Sequence, residues 1–274
     1  MAAGLRNEDY VAFLDESGED NLQVVAGVFI PARWLRSAER RWHDFIRDQL
    51  RSPSGRREVK GRDLVKGRGV ALHAQTRLLA GGWPPLTAQA AGQQFYRTAL
   101  QHIASIREVR ILAVGMKTNR PLEVYRLWFW MAYCLLVERP KAPRPRLPLT
   151  IIDGEDAAFR GAQDLIAYRF YRNFPRCQPY VGRGSAWFVG GSAHQDSKLH
   201  PFVQMADLLA GAGRHAIAHR APYDLWFQTH VRDHAQTLGG AGRPIDVSAH
   251  ALSQLRRRAP KDACNSGWPG ALLP

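Results

Sequence analysis

Three aspartates stand where an acid is costly, and their placement suggests metal chemistry. Asp15 closes the apolar run in VAFLDESGEDN (11–21), and Asp153 closes another in LTIIDGED (149–156). Asp207 interrupts the apolar FVQMADLLAGAG (202–213). A carboxylate among apolar side chains is unfavourable unless it is paired or bound to a cation. Two carboxylates brought side by side repel each other, and a cation between them compensates. Hard divalent ions such as Mg²⁺ or Mn²⁺ take oxygen ligands of this kind. Two of them bridging a phosphate support in-line phosphodiester hydrolysis. Taken singly, each stretch has an ordinary alternative. DESGEDN reads equally as a hairpin turn, DGED as a turn with a helix cap, and Asp207 as a helix acid paired with Arg214.

The elements that carry these acids follow from periodicity. Tyr10–Leu14 and Gln23–Ile30 are apolar and β-branched and predict a hairpin with a connection longer than the tightest type. Ser17 and Gly18 are expected to make its turn, with Glu16 a reserve ligand and Glu19 and Asp20 solvated. WLRSAERRWHDFIRDQL (34–50) predicts a helix with one apolar stripe and a basic opposite face. The segment 51–69 reads as an exposed loop with a short strand around Glu58–Lys60. Further helices are predicted at 93–106, 122–138, 157–174 and from Pro201, which suits a first helical turn. Strands are predicted at 109–117, 149–153 and 185–191. In α/β sheets ligands bind outside the carboxyl ends of strands, so Asp15 and Asp153 meet if their strands are neighbours.

The whole chain of 274 residues has a formal charge of +14. Half of that excess lies between Arg33 and Arg68, with twelve Lys/Arg against five Asp/Glu. Such clustering points to a polyanionic partner, nucleic acid above all, because phosphate contacts release counterions. Three cysteines without CxxC spacing argue against a disulfide framework or a structural zinc site. The apolar stretch 127–137 is too short to span a bilayer, and the N-terminal residues lack an apolar signal core. The expectation is a cytoplasmic protein with no membrane partner. No Walker or Rossmann loop and no nucleophile elbow is present. The pairs His215/His219 and His230/His234 have i, i+4 spacing suited to zinc, but HAIAH lacks the glutamate of a metalloprotease motif.

FLDESGE (13–19), IIDGED (151–156) and HQDSKLHPFVQMADLLAGA (194–212) together resemble the three signature blocks of domain-of-unknown-function family 3800 (DUF3800), over about residues 10–219. That family is similar to ribonuclease H-like folds, and its members are regarded as metal-dependent nucleases or their relatives. The resemblance implies that Asp15, Asp153 and Asp207 bind the metal. Glu58, in REVKGRDL, is implied as a fourth ligand, and Lys198 of the Asp196-Ser197-Lys198 element as the group that neutralises a phosphate or leaving group. The basic helix between the second strand and Glu58 departs from the usual ribonuclease H series of strands.

The combined reading is an α/β protein with a ribonuclease H-like mixed sheet, an N-terminal antiparallel hairpin plus parallel strands, flanked by helices on both faces. Its domain spans 1–235, with a basic insertion around 33–68, and a Gly/Pro/Arg-rich extension over 236–274 is expected to be peripheral. The expected activity is hydrolysis of DNA or RNA with Mg²⁺ or Mn²⁺, carried by Asp15, Asp153, Asp207, Glu58 and Lys198. Arg36, Arg40, Arg47, Arg56, Arg57, Lys60, Arg62 and Lys66 are expected to track the phosphate backbone, and Arg256–Arg258 to extend that track. The alternative is a non-cleaving nucleic-acid-binding subunit of a larger mobile-element or defence complex, with a protein or guide-RNA partner.

Overall fold

A computed structural model describes residues 9–50, 58–81, 87–106, 109–119, 149–153, 191–198, 200–221 and 245–246, with isolated positions between them. These residues form a mixed six-stranded sheet with helices, an α/β arrangement. The strands are β1 (Tyr10–Glu19), β2 (Leu22–Pro31), β3 (Arg110–Lys117), β4 (Leu149–Asp153), β5 (Gly191–Gln195) and β6 (Ile245–Asp246). Their spatial order is β5-β4-β1-β2-β3-β6. β2 pairs antiparallel with β1 and β3, whereas β4 runs parallel to both β1 and β5, and β6 parallel to β3. The helices are α1 (Leu35–Leu50), α2 (Gly61–Val65), α3 (Val70–Ala80), α4 (Ala88–Ser105) and α5 (Pro201–Ile217).

Alternation along the strands divides the core in two. Val11, Phe13, Ala26, Val28, Ile30, Ile111 and Ala113 share one face and one apolar cluster with α1, α3, α4 and α5. α5 lies directly on this face, and α1 and α4 pack against α5. The opposite face meets the helical residues Val124, Tyr125, Trp128 and Phe129. There the Trp128 ring stacks on Phe29 at 5.2 Å, and its indole N–H donates to the Leu112 carbonyl at 3.1 Å. Gly27 permits that approach, since a Cβ there would lie 2.5 Å from the indole. Among the described residues no helix is long and apolar enough to cross a membrane.

Several local expectations change. The hairpin connection is a tight one: β1 runs on to Glu19, and Asp20 and Asn21 make the turn with φ of 49° and 62°. Two residues in the left-handed region match the twist of the flanking strands, and Asp and Asn tolerate it. Ser17 and Gly18 are therefore strand residues. No strand forms at Glu58–Lys60, which lead in extended coil into α2, and the Gly/Arg-rich stretch expected to be a loop runs into α2 and α3. Within the C-terminal extension, Ile245–Asp246 join the sheet edge. The predicted helix 157–174, most of the strand 185–191, Arg56, Arg57, His230, His234 and Arg256–Arg258 lie outside the described residues.

Candidate active site

β1 and β4 are neighbours in the parallel sense, and their pairing ends at Leu14 opposite Ile152. Asp15 and Asp153 are the next residues along, on the face that α5 covers. α5 begins at Pro201 and carries Asp207 about one and two-thirds turns later, toward the same place. Small residues let it descend close to its neighbours. Tyr96 of α4 donates to the Leu208 carbonyl at 2.5 Å, and a Cβ on Gly211 would lie 2.7 Å from that phenol oxygen. The three aspartates line one cavity of about 620 Å³, together with Glu16, Lys60, Arg62, Lys66, Arg214, His215 and Arg220.

The electrostatics of this floor are those of carboxylates short of positive charge. Burial drives the Asp15 carboxyl well above the usual carboxylate range, and Asp207, Glu16 and Asp153 push it the same way. Asp207 is pushed up to about 6, again chiefly by burial, with Asp153 adding to the rise. The Gly61 N–H and the charges of Lys60 and Arg62 oppose it. Glu16 is raised by burial, and Tyr125, donating to its Oε2, resists that rise. Burial and the neighbouring Glu16 and Asp15 hold the Tyr125 phenol well above its usual range, so it remains a donor.

Each aspartate is also gripped by backbone. Asp15 Oδ1 accepts from the Glu16 N–H at 2.7 Å, Asp207 Oδ2 from Gly61 at 2.6 Å, and Asp153 Oδ1 from Ser197 at 3.3 Å. Among the described residues no three His, Cys, Asp or Glu side chains are arranged to hold an ion as they stand. The donor set nevertheless fits a hard divalent ion, being all carboxylate and mutually repelling.

The remaining predicted residues divide. Glu58 does not line the cavity; its Oε1 accepts from Ser197 Oγ at 3.0 Å and pairs with Lys60 Nζ at 3.1 Å. Lys198 is exposed, bonded through its backbone N–H to Asp196, and also outside the cavity lining. Of the expected phosphate-tracking residues, Lys60, Arg62 and Lys66 line the cavity, whereas Arg36, Arg40 and Arg47 of α1 do not, and Arg47 pairs with Asp44 at 2.6 Å. Asp207 does not pair with Arg214; that guanidinium bonds Glu19. Arg220 joins Glu19 at 2.6 Å and Asp20 at 2.5 Å, so the hairpin-tip acids are ion-paired rather than merely solvated. Against the cost of partial burial, Arg214 and Arg220 hold the Glu19 carboxyl below its usual range. Burial with the same two arginines pushes His215 down to about 4. His219 stands beyond the end of α5 at φ 52°, so His215 and His219 do not share a helix face as a zinc pair would.

Three contributors escape sequence reasoning: Tyr125, Gln204, whose amide donates to the Ser197 carbonyl at 2.8 Å, and the backbone of Gly61. Tyr125 reads as one more core aromatic, and a backbone donor leaves no trace in residue type. Comparison of the chain with protein-family models, with curated proteins and with solved structures finds no match in any of the three.

Proposed function

We propose that the protein is a divalent-metal-dependent nuclease that hydrolyses phosphodiester bonds of DNA or RNA, with a ribonuclease H-like sheet and kinship to the family its signature blocks resemble. The observation that carries this reading is the adjacency of β1 and β4, which sets Asp15 beside Asp153 on the face where α5 brings Asp207. Asp15, Asp153 and Asp207 would hold the ion, with Glu16 a further carboxylate of the same lining. Bound Mg²⁺ or Mn²⁺ would help activate water and neutralise charge on the phosphate. The chain's own residues do the rest. Lys60, Arg62 and Lys66 draw the phosphate backbone toward the acid floor, Gly61 fixes Asp207, and Ser197 fixes Asp153. Acids and cations in one cavity lining would pair an ion site with groups that attract phosphate, as a phosphodiesterase requires.

The test is cleavage of single- and double-stranded DNA and RNA with Mg²⁺, Mn²⁺ or EDTA, for wild type, Asp15→Asn and Asp153→Asn. Cleavage by wild type that EDTA and either substitution abolish supports the reading. Removing charge from a repelling cluster should leave the metal-free fold as stable or more so, which separates loss of the site from misfolding. No cleavage with any ion removes the reading.

A non-cleaving nucleic-acid-binding subunit is favoured by one specific observation: each aspartate already accepts a backbone hydrogen bond. It predicts salt-dependent binding that Asp15→Asn leaves unchanged, and no Mn²⁺ heat in calorimetry.

A further inference from the structure

We propose that Lys60, rather than Lys198, is the cation that meets the scissile phosphate, and that Glu58 and Ser197 are positioning residues that aim it. This assignment rests on the nuclease reading and sharpens it. Lys60 lines the cavity, with its side chain 16% exposed, and it adjoins Gly61, whose N–H holds Asp207. Lys60 thus stands in the cavity lining one residue from the N–H that holds Asp207. The other cations of the cavity are placed differently. Arg62 is 72% exposed at the rim, Lys66 is exposed, and Arg214 and Arg220 are engaged by Glu19 and Asp20. Lys198 is exposed and does not belong to the cavity lining.

Glu58 explains how a flexible lysine is held. Its Oε1 takes the Lys60 ammonium at 3.1 Å and the Ser197 hydroxyl at 3.0 Å, from outside the cavity. Ser197 is buried, its N–H reaches Asp153, and Gln204 of α5, also buried, donates to its carbonyl. One circuit thus joins the Lys60 segment to the strand bearing Asp153 and the helix bearing Asp207. In hydrolysis a water oxygen bonds to phosphorus and the ester P–O bond breaks, its electron pair leaving on the ester oxygen, which takes a proton from water. Lys60 keeps its protons throughout and stabilises the negative charge on the phosphoryl oxygens.

The experiment measures steady-state cleavage with Mn²⁺, and Mn²⁺ affinity by calorimetry, on the full chain. The variants are Lys60→Met, Lys60→Arg, Glu58→Gln, Lys60→Met/Glu58→Gln and Lys198→Met. Lys60→Met should lower kcat roughly 100-fold, as loss of a transition-state donor does, while Mn²⁺ affinity holds. Lys60→Arg should recover part of that loss. Glu58→Gln should lower kcat about 10-fold with Mn²⁺ affinity unchanged, the scale of a lost supporting contact. The double variant should be no worse than Lys60→Met, because Glu58 acts through Lys60. Unimpaired Lys60→Met, a multiplicative double variant, a Glu58→Gln protein that loses Mn²⁺, or a Lys198→Met that matches Lys60→Met each overturns the assignment while leaving the nuclease reading intact. A wild type that cuts nothing removes both.

Discussion

The backbone N–H of Gly61 donates to Asp207 Oδ2 at 2.6 Å, joining two segments 146 residues apart in the chain. That single bond ties the start of α2, with Lys60 and Arg62 on either side of Gly61, to the acid-lined cavity. It also makes Asp207 serve two ends, as acceptor and as charge.

Asp207→Asn separates these ends. An asparagine oxygen can accept from Gly61, so urea unfolding should show stability within about 1 kcal/mol of wild type, whereas Asp207→Leu strands the N–H and should cost about 1–3 kcal/mol. Cleavage should fall at least about 100-fold in both. An Asp207→Asn protein that cuts normally would show that its charge is not needed.

The pH dependence of stability has a definite sign. Asp207 titrates at about 6 in the fold against 3.8 for an ordinary aspartate, so between those values the folded protein holds a proton that the unfolded chain has lost. Its contribution to stability is complete below pH 3.8 and is lost as pH rises through about 6. In EDTA, wild type should therefore lose stability relative to Asp207→Asn between pH 4.5 and 7, by urea titration. Mn²⁺ should restore it at pH 7 by binding the ionised form. A wild type that gains on Asp207→Asn across that interval would contradict the buried-acid account.

Tyr125 donates to Glu16 within a buried setting. Tyr125→Phe removes the donor and leaves the carboxylate, which should cost about 1–3 kcal/mol at pH 7. Glu16→Gln in the same background should recover much of that cost. Equal stability of Tyr125→Phe and wild type would mean the bond contributes nothing.

Gly27→Ala tests the other face of the sheet. The new Cβ would lie 2.5 Å from the Trp128 ring, which must shift from its stack on Phe29. The expected loss is about 1–3 kcal/mol by thermal or urea unfolding, with a matching change in tryptophan fluorescence. In a Trp128→Leu background the same substitution should cost far less, since the clash is gone.

Legibility in the sequence followed the range of the interactions. The hairpin, β3, β4, α1, α4 and α5 were readable because each rests on a period of 2 or 3.6 within its own residues. The strand-end position of Asp153 and the place of Asp207 on an apolar helix came with them, whereas Asp15 lies in mid-strand, just past the last residue of β1 that pairs with β4. α3 was missed because its Gly- and Arg-rich approach resembles a loop, and its apolar residues face α4 only after folding. The turn was misplaced because Ser17-Gly18 and Asp20-Asn21 both suit a turn locally, and only the ten-residue register of β1 with β2 chooses between them.

Local patterning thus yields the acids, most of the elements that carry them and the basic stretch 33–68. Long-range packing sets β4 beside β1, turns Asp15 toward α5 and Glu16 toward Tyr125, and makes Glu58 brace Lys60 and Ser197 instead of lining the cavity. The reason is physical. A strand's periodicity says which residues share a face, but strand order and helix placement depend on which surfaces bury each other across long separations. No local pattern records those choices.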